Sequence, residues 1–158
     1  MEKHDEVLVA LRQIIRAIDM HSRRLIKEAG LTSPQLLLLK GINELGQISM
    51  RQLADRTIMS QATAPTTMDR LESRQLVQRI RSETDKRKVH ATLTDAGRAL
   101  LAQAPTPLQE RFIQRFQALE AWEQTLLLSS LQRISSMMNA DAIDAAPVLS
   151  VRPLTEER

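Results

Sequence analysis

The segment Val77 to Leu93 constrains this chain more than any other. Val77-Gln78-Arg79-Ile80-Arg81 alternates apolar and polar residues, and Val89-His90-Ala91-Thr92-Leu93 does so again, with Val, Ala and Leu on one face. Alternation of period two marks a strand with one side against a core, and two such runs joined by a short polar loop read as a β-hairpin. The loop ends in Asp85-Lys86-Arg87-Lys88, three cations and one anion. Such a tip suits a polyanion and hardly a core. His90 falls on the polar side of its strand and is expected in solvent.

The sequence on both sides reads as helix. Between Asp5 and Ala29, Leu8, Leu11, Ile15, Ile18, Ser22 and Leu25 recur at spacings of three and four, Val7 and Ile14 widen the stripe, and Gly30 ends it. That stripe suits packing along another helix, including one from a second chain. Thr32-Ser33-Pro34-Gln35 is a capping sequence with proline in the first turn, and Gly46 is a fitting stop. Ile48 is placed to pair with the hairpin. Ser49-Met50-Arg51-Gln52 repeats the capping pattern and opens a short helix, Met50 to Arg56. After a turn at Thr57-Ile58-Met59, a helix capped by Ser60 or by Thr63 runs to about Gln75.

Two residues of that helix raise specific questions. A helix opened by Ser60 loses a backbone bond at Pro65, whereas one opened by Thr63 carries Pro65 in its first turn at little cost. If the chain needs positive φ at Gln75, glutamine costs about 1–2 kcal/mol there. Beyond the hairpin, Thr94 caps a helix that Pro105 and Pro107 must break. Helix resumes from about Leu108 to Ala118 and from Glu120 to Met138, the latter with Leu127, Leu131, Ile134 and Met138 in register. Residues 139–158 lack periodicity and are expected to form a flexible tail.

Composition removes several function classes. Zero cysteines exclude disulfides, thiolate metal sites and thiol redox sensing. His4, His21 and His90 show no metal-ligand spacing, so no metal is expected. With two Phe, one Trp and no Tyr, stacking of single-stranded bases is a poor fit. No apolar run is long enough to span a membrane, and the acidic start is unlike a signal peptide, so a cytoplasmic protein is expected. No phosphate-cradling glycine loop or nucleophile motif stands out, and no catalytic residue or cofactor is expected. Net charge is only +3, but it is unevenly distributed. Ser49 to Arg98 holds ten bases against six acids, while the segments before and after it net +1 and −2. The positive middle is where a phosphate backbone could be met.

Met50 to Arg56, a turn, and Ser60 to Gln75 form a helix-turn-helix pattern, whose second helix would enter a major groove with its first residues facing base edges. A basic hairpin after such a unit is the layout of a winged helix. With Thr32-Ser33-Pro34-Gln35, Met50-Arg51-Gln52-Leu53-Ala54, Asp69-Arg70-Leu71-Glu72, Asp85-Lys86-Arg87 and Leu93-Thr94-Asp95-Ala96-Gly97, the chain resembles the MarR family of bacterial transcription regulators over roughly Leu8 to Met138. The resemblance implies a mainly α fold with a small β-hairpin wing. It divides the chain into an N-terminal dimerisation helix (1–30), a winged helix-turn-helix domain (31–98), C-terminal dimerisation helices (99–139) and the tail (140–158). It implies a homodimer on pseudo-palindromic duplex DNA, acting as a repressor and released by a small-molecule effector. In that frame Arg87 enters the minor groove and Asp85 orients it. Lys86 and Lys88 complete the wing, and Arg51 holds a phosphate. Ser60, Gln61, Ala62, Thr63, Thr66, Thr67 and Arg70 face the major groove. A ligand cleft between dimerisation and winged units would draw on Ile15, Ile18, Asp19, His21, Ser22, Leu36, Leu39 and Met68. For His21 a role at the helix C-terminal dipole is the preferred reading over cleft lining. A ligand- or protein-binding dimer that lost DNA affinity is the alternative function, with Pro65 as its support.

Overall fold

The structure is a computed structural model that describes residues 2–46, 48–57, 59, 63–86, 88–143, 145, 148 and 149, without the side chains of residues 56 and 63. Among the described residues seven helices and three strands follow in the order α1 (Lys3–Ala29), α2 (Ser33–Leu45), β1 (Ile48–Ser49), α3 (Met50–Thr57), α4 (Thr63–Ser73), β2 (Val77–Arg81), β3 (Val89–Leu93), α5 (Asp95–Gln103), α6 (Leu108–Gln117) and α7 (Ala121–Met137).

Caps set most boundaries. Gly30 ends α1 in the left-handed conformation, φ 61°, and donates its N–H to Ile26. Thr32 and Gln35 form a reciprocal box at the start of α2, each side chain accepting the other's backbone N–H. Ser49 and Gln52 do the same at α3. Each box satisfies two N–H groups that a helix start leaves without acceptors. Helix α4 is described from Thr63, which places Pro65 two residues beyond its first described residue; the Ser60 cap lies outside the described residues.

The hairpin has the expected span, and β3 lies between β1 and β2 in an antiparallel sheet. Val77 pairs with Leu93 and Arg79 with Ala91, while Ile48 pairs with Ala91 from the other side. That third strand corrects the expectation for His90. Flanked by Ser49 and Ile80, the ring is half-buried, and its Nδ1 is enclosed with no hydrogen-bond partner among the described residues.

One core joins these elements. Leu36, Leu38, Leu39 and Ile42 of α2 pack with Leu53, Met68, Leu71, Val77, Ala91 and Leu93, and Leu25 and Ala29 from the last turns of α1 belong to the same cluster. A boundary at residue 30 therefore passes through this core. Beyond α7, Val148 is partly buried against it.

The Leu-Thr-x-x-Gly motif closes the unit. The Thr94 hydroxyl donates to the Gln75 carbonyl (2.7 Å) and accepts the Gly97 N–H (3.0 Å), while the Thr94 N–H donates to Leu76. A Cβ on Gly97 would overlap the Leu76 carbonyl, so only glycine lets α5 approach this closely. Gln75 has φ 57°, the strained conformation that its position as a helix stop suggested.

The remaining helices are packed differently. Neither α6 nor α7 has a buried residue, and α1 buries only Ser22, Leu25 and Ala29. No helix among the described residues is long and apolar enough to cross a membrane.

Candidate nucleic-acid interface

Helix α4 has two sides. Ala64, Met68 and Leu71 are fully buried, and Thr67 shares their stripe at 8% exposure. Spacings of three and four from Ala64 to Leu71 turn Thr67 inward, away from the groove-facing set assigned from sequence. Thr66 and Arg70, four residues apart, share the exposed side with Pro65, Asp69 and Ser73. Ser60, Gln61, Ala62 and the Thr63 side chain lie outside the described residues. Arg51 is exposed in the first turn of α3.

Hydrogen bonds among Ser82, Asp85 and Lys88 close the described part of the wing loop. The Ser82 N–H donates to the Lys88 carbonyl (2.9 Å), the Lys88 N–H to the Asp85 carbonyl (2.8 Å), and the Asp85 N–H to the Ser82 hydroxyl (3.3 Å). Lys86 and Lys88 are exposed and Asp85 is half-buried. Arg87, and with it the Asp85–Arg87 pairing, lies outside the described residues. Exposed cations on α3, α4 and the wing thus share one fold unit, as a phosphate-binding surface requires.

Three ties that the sequence reading missed join elements distant along the chain. Arg79 of β2 donates to Asp69 (2.5 Å) and Glu72 (2.6 Å) of α4, and these carboxylates raise its pKa, the Asp69 hydrogen bond most. Arg74, just after α4, donates to the Gly30 carbonyl at the end of α1 (2.6 Å). The available signal was two acids three apart on one helix, followed by a cation on the next strand. Finally, His21 Nε2 accepts the N–H of Leu108 at the start of α6 (3.2 Å), 87 residues away.

That contact corrects the dipole reading of His21. Burial lowers the imidazole pKa, and the Arg111 and Arg24 charges lower it further. A neutral ring accepting a hydrogen bond caps α6, whereas a helix C-terminus would favour the cation. A Lys40–Glu110 ion pair ties α6 to α2 beside it.

The other residues assigned to a ligand cleft range from core to surface. Leu36, Leu39 and Met68 are core residues at 1%, 0% and 0% exposure. Ile15 is exposed, Ile18 and Asp19 are half-buried, and Asp19 pairs with Arg23 (3.0 Å). Ser22 is buried, and its hydroxyl has no partner among the described residues. A cavity of about 400 Å³ between α2, α5 and the proline connector is lined by Leu36 of that set and by Lys40, Asn43, Arg98, Leu101 and residues 102 and 104–107. Among the described residues no group of His, Cys, Asp or Glu could hold a metal ion.

The sequence model of the MarR family matches residues 31–89, from the start of α2 to the first residue of β3. The transcriptional regulator HosA of Escherichia coli O111:H- is 30% identical over 135 residues, 83% of this chain and 96% of that protein. The transcriptional regulator BldR of Sulfolobus solfataricus has a similar crystal structure, with TM-score 0.54 and 31% identity over 87% of this chain and 99% of that one. The Bordetella bronchiseptica protein BpsR, whose DNA binding is regulated by 6-hydroxynicotinic acid, is similar at TM-score 0.54 and 28% identity, covering 82% and 98%.

Proposed function

The chain belongs to the MarR family of transcription regulators, and from that premise we propose that it represses transcription as a homodimer bound to a pseudo-palindromic duplex site. The observation that carries this reading is the joint exposure of Arg51, Thr66, Arg70, Lys86 and Lys88 on a helix-turn-helix and its wing, all held by one core. In this reading α4 enters a major groove, the wing follows the neighbouring backbone with Arg87 in the minor groove, and Arg51 holds a phosphate. Ser60, Gln61, Ala62 and Thr63 complete the groove contacts. Two recognition helices related by a two-fold axis meet grooves about 34–36 Å apart.

Dimerisation falls to α1, α6 and α7. Their exposed apolar side chains, among them Ile15, Phe112, Trp122, Leu127 and Leu131, suit burial against a second copy. The division into a dimerisation helix, a winged domain and C-terminal dimerisation helices is part of this reading, with the last two turns of α1 shared by the first two parts. A small-molecule effector would act where the cavity separates α2 and α5 from the α5–α6 connector, favouring a dimer geometry whose recognition helices are wrongly spaced for DNA. The reading assigns the protein to the cytoplasm and involves no catalytic step.

Selection of bound fragments from genomic DNA, followed by gel shifts at stated salt, tests the proposal. A pseudo-palindromic fragment bound at nanomolar concentration, with affinity falling steeply as salt rises, is expected. Binding no tighter than to random duplex favours the dimer without DNA affinity.

A further inference from the structure

We propose that Arg79 is a positioning residue that locks the wing to the recognition helix, so that both DNA-contacting elements move as one body. The inference rests on the DNA-binding reading above. Arg79 lies at the centre of β2, and its guanidinium spans two carboxylates of α4, with Nη1 on Glu72 at 2.6 Å and Nη2 on Asp69 at 2.5 Å. Its backbone N–H donates to the other Glu72 oxygen at 3.3 Å. The side chain is 30% exposed, and Asp69 and Glu72 are 64% and 39% exposed.

The placement of the acids is the telling feature. They stand three apart on the helix assigned to the groove, and Asp69 adjoins Arg70. A carboxylate on a DNA-facing helix opposes phosphate binding. As anchors for a strand the two have a purpose that outweighs this repulsion. A planar fork with fixed donors can hold both carboxylates at a set angle, which a lysine ammonium does less well. Exposed ion pairs contribute little to folding, so orientation, more than stability, is what this cluster can govern. On its other side the hairpin is fixed by the Thr94 contacts to Gln75 and Leu76. Without the Arg79 side chain the hairpin keeps the turn at 74–76, the Arg79 N–H on Glu72 and the core packing of Val77 with Met68 and Leu71 at its base, but loses the polar fork that fixes its angle to α4.

The full-length chain provides the test, and its lack of cysteine allows clean labelling. Spin labels at Ser73→Cys on α4 and Glu83→Cys in the wing loop, in dimers diluted with unlabelled chain, give a distance distribution without DNA. A narrow distribution is expected for the parent chain, and a broad one for both Arg79→Gln and the pair Asp69→Asn/Glu72→Gln. Unchanged distributions overturn the proposal. Affinity for the genomically selected duplex should fall about tenfold in Arg79→Gln and by a similar factor in the acid pair, although the pair removes two negative charges facing the DNA. The triple variant should bind no more weakly than either, because the three residues act as one unit. Arg79→Lys should restore part of the affinity. An acid pair that binds as tightly as the parent chain, or more tightly, overturns the positioning role and makes Arg79 a mere neutraliser. Failure of the parent chain to bind any selected duplex refutes the DNA reading, while the label distances still decide the lock.

Discussion

Two parts of this molecule use apolar side chains in opposite ways. In the winged unit Leu25, Leu38, Leu53 and Leu71 are completely enclosed. In α7, Trp122 is 66% exposed and Leu128 55%, and in the first half of α1 Ile15 is 60% exposed. The same residue types at the same helical spacing therefore make a finished core in one place and an unfinished surface in the other. The winged unit holds its own hydrophobic cluster, whereas α7 leaves its apolar side chains exposed among the described residues, a surface that the proposed dimer would bury.

The most direct way to break that contrast is to charge the unfinished surface. Leu127→Lys with Leu131→Lys places two cations one turn apart on α7. Each leucine whose burial is lost removes roughly 1.5–3 kcal/mol of association energy, twice over in a symmetric dimer. Sedimentation should show a monomer where the parent chain sediments as a dimer. Melting of the winged core should move little, since both leucines lie outside it. A variant that stays dimeric would show that α7 is not the joining surface.

Gly97→Ala attacks the other side of the comparison. The added Cβ meets the Leu76 carbonyl, a backbone group that cannot rotate away. Overpacking of this kind costs about 3 kcal/mol, enough to lower the melting temperature by several degrees. Thermal unfolding should show the loss in the winged unit. Unchanged melting would mean that α5 can shift off the hairpin, and that the winged core is less closed than its burial implies.

Much of the winged unit was legible because its signals are local. Thr32 with Gln35, Ser49 with Gln52, Thr94 and Gly30 are caps readable within four residues, and the period-two alternation placed both hairpin strands. Ile48 was recognisable as a partner for the hairpin, yet its effect on His90 was not, because enclosure depends on what both flanking strands carry. Thr66 and Thr67 look alike in sequence; only the helical phase set by Ala64, Met68 and Leu71 separates the exposed one from the buried one. The contacts missed altogether span distance. Arg79 reaches back to Asp69 and Glu72, Arg74 crosses to Gly30, and His21 meets Leu108 across most of the chain. Only the first left a trace in spacing, two acids three apart before a cation; the other two depend on how finished elements dock.

A smaller effect tests whether the winged unit is tuned for stability alone. Gln75 holds φ 57° at the joint between α4 and β2. Gln75→Gly removes about 1–2 kcal/mol of strain and returns some as unfolded-chain entropy, for a net gain of about 0.5–1 kcal/mol. Denaturant unfolding should show the gain. A loss would mean that the Gln75 side chain contributes packing that outweighs its backbone cost.

The smallest expected effect lies where the two parts meet. His21 accepts a hydrogen bond from Leu108 through Nε2, which requires the neutral ring. Burial and the nearby Arg111 and Arg24 lower its pKa below the ordinary 6.5. A histidine whose folded pKa is depressed contributes its full stability above the unfolded value, and that contribution is lost as pH falls from about 6.5 through the folded pKa. Acid should therefore loosen α6 from α1, leaving the Lys40–Glu110 pair as a remaining tie between α6 and the winged unit. His21→Gln keeps an acceptor that does not titrate in this range. Melting temperatures compared at pH 8 and pH 5.5 should fall less in His21→Gln than in the parent chain, and the difference isolates the contribution of His21. Equal falls would place the acid-sensitive group elsewhere, and the attachment of α6 would then rest on the ion pair rather than on the imidazole.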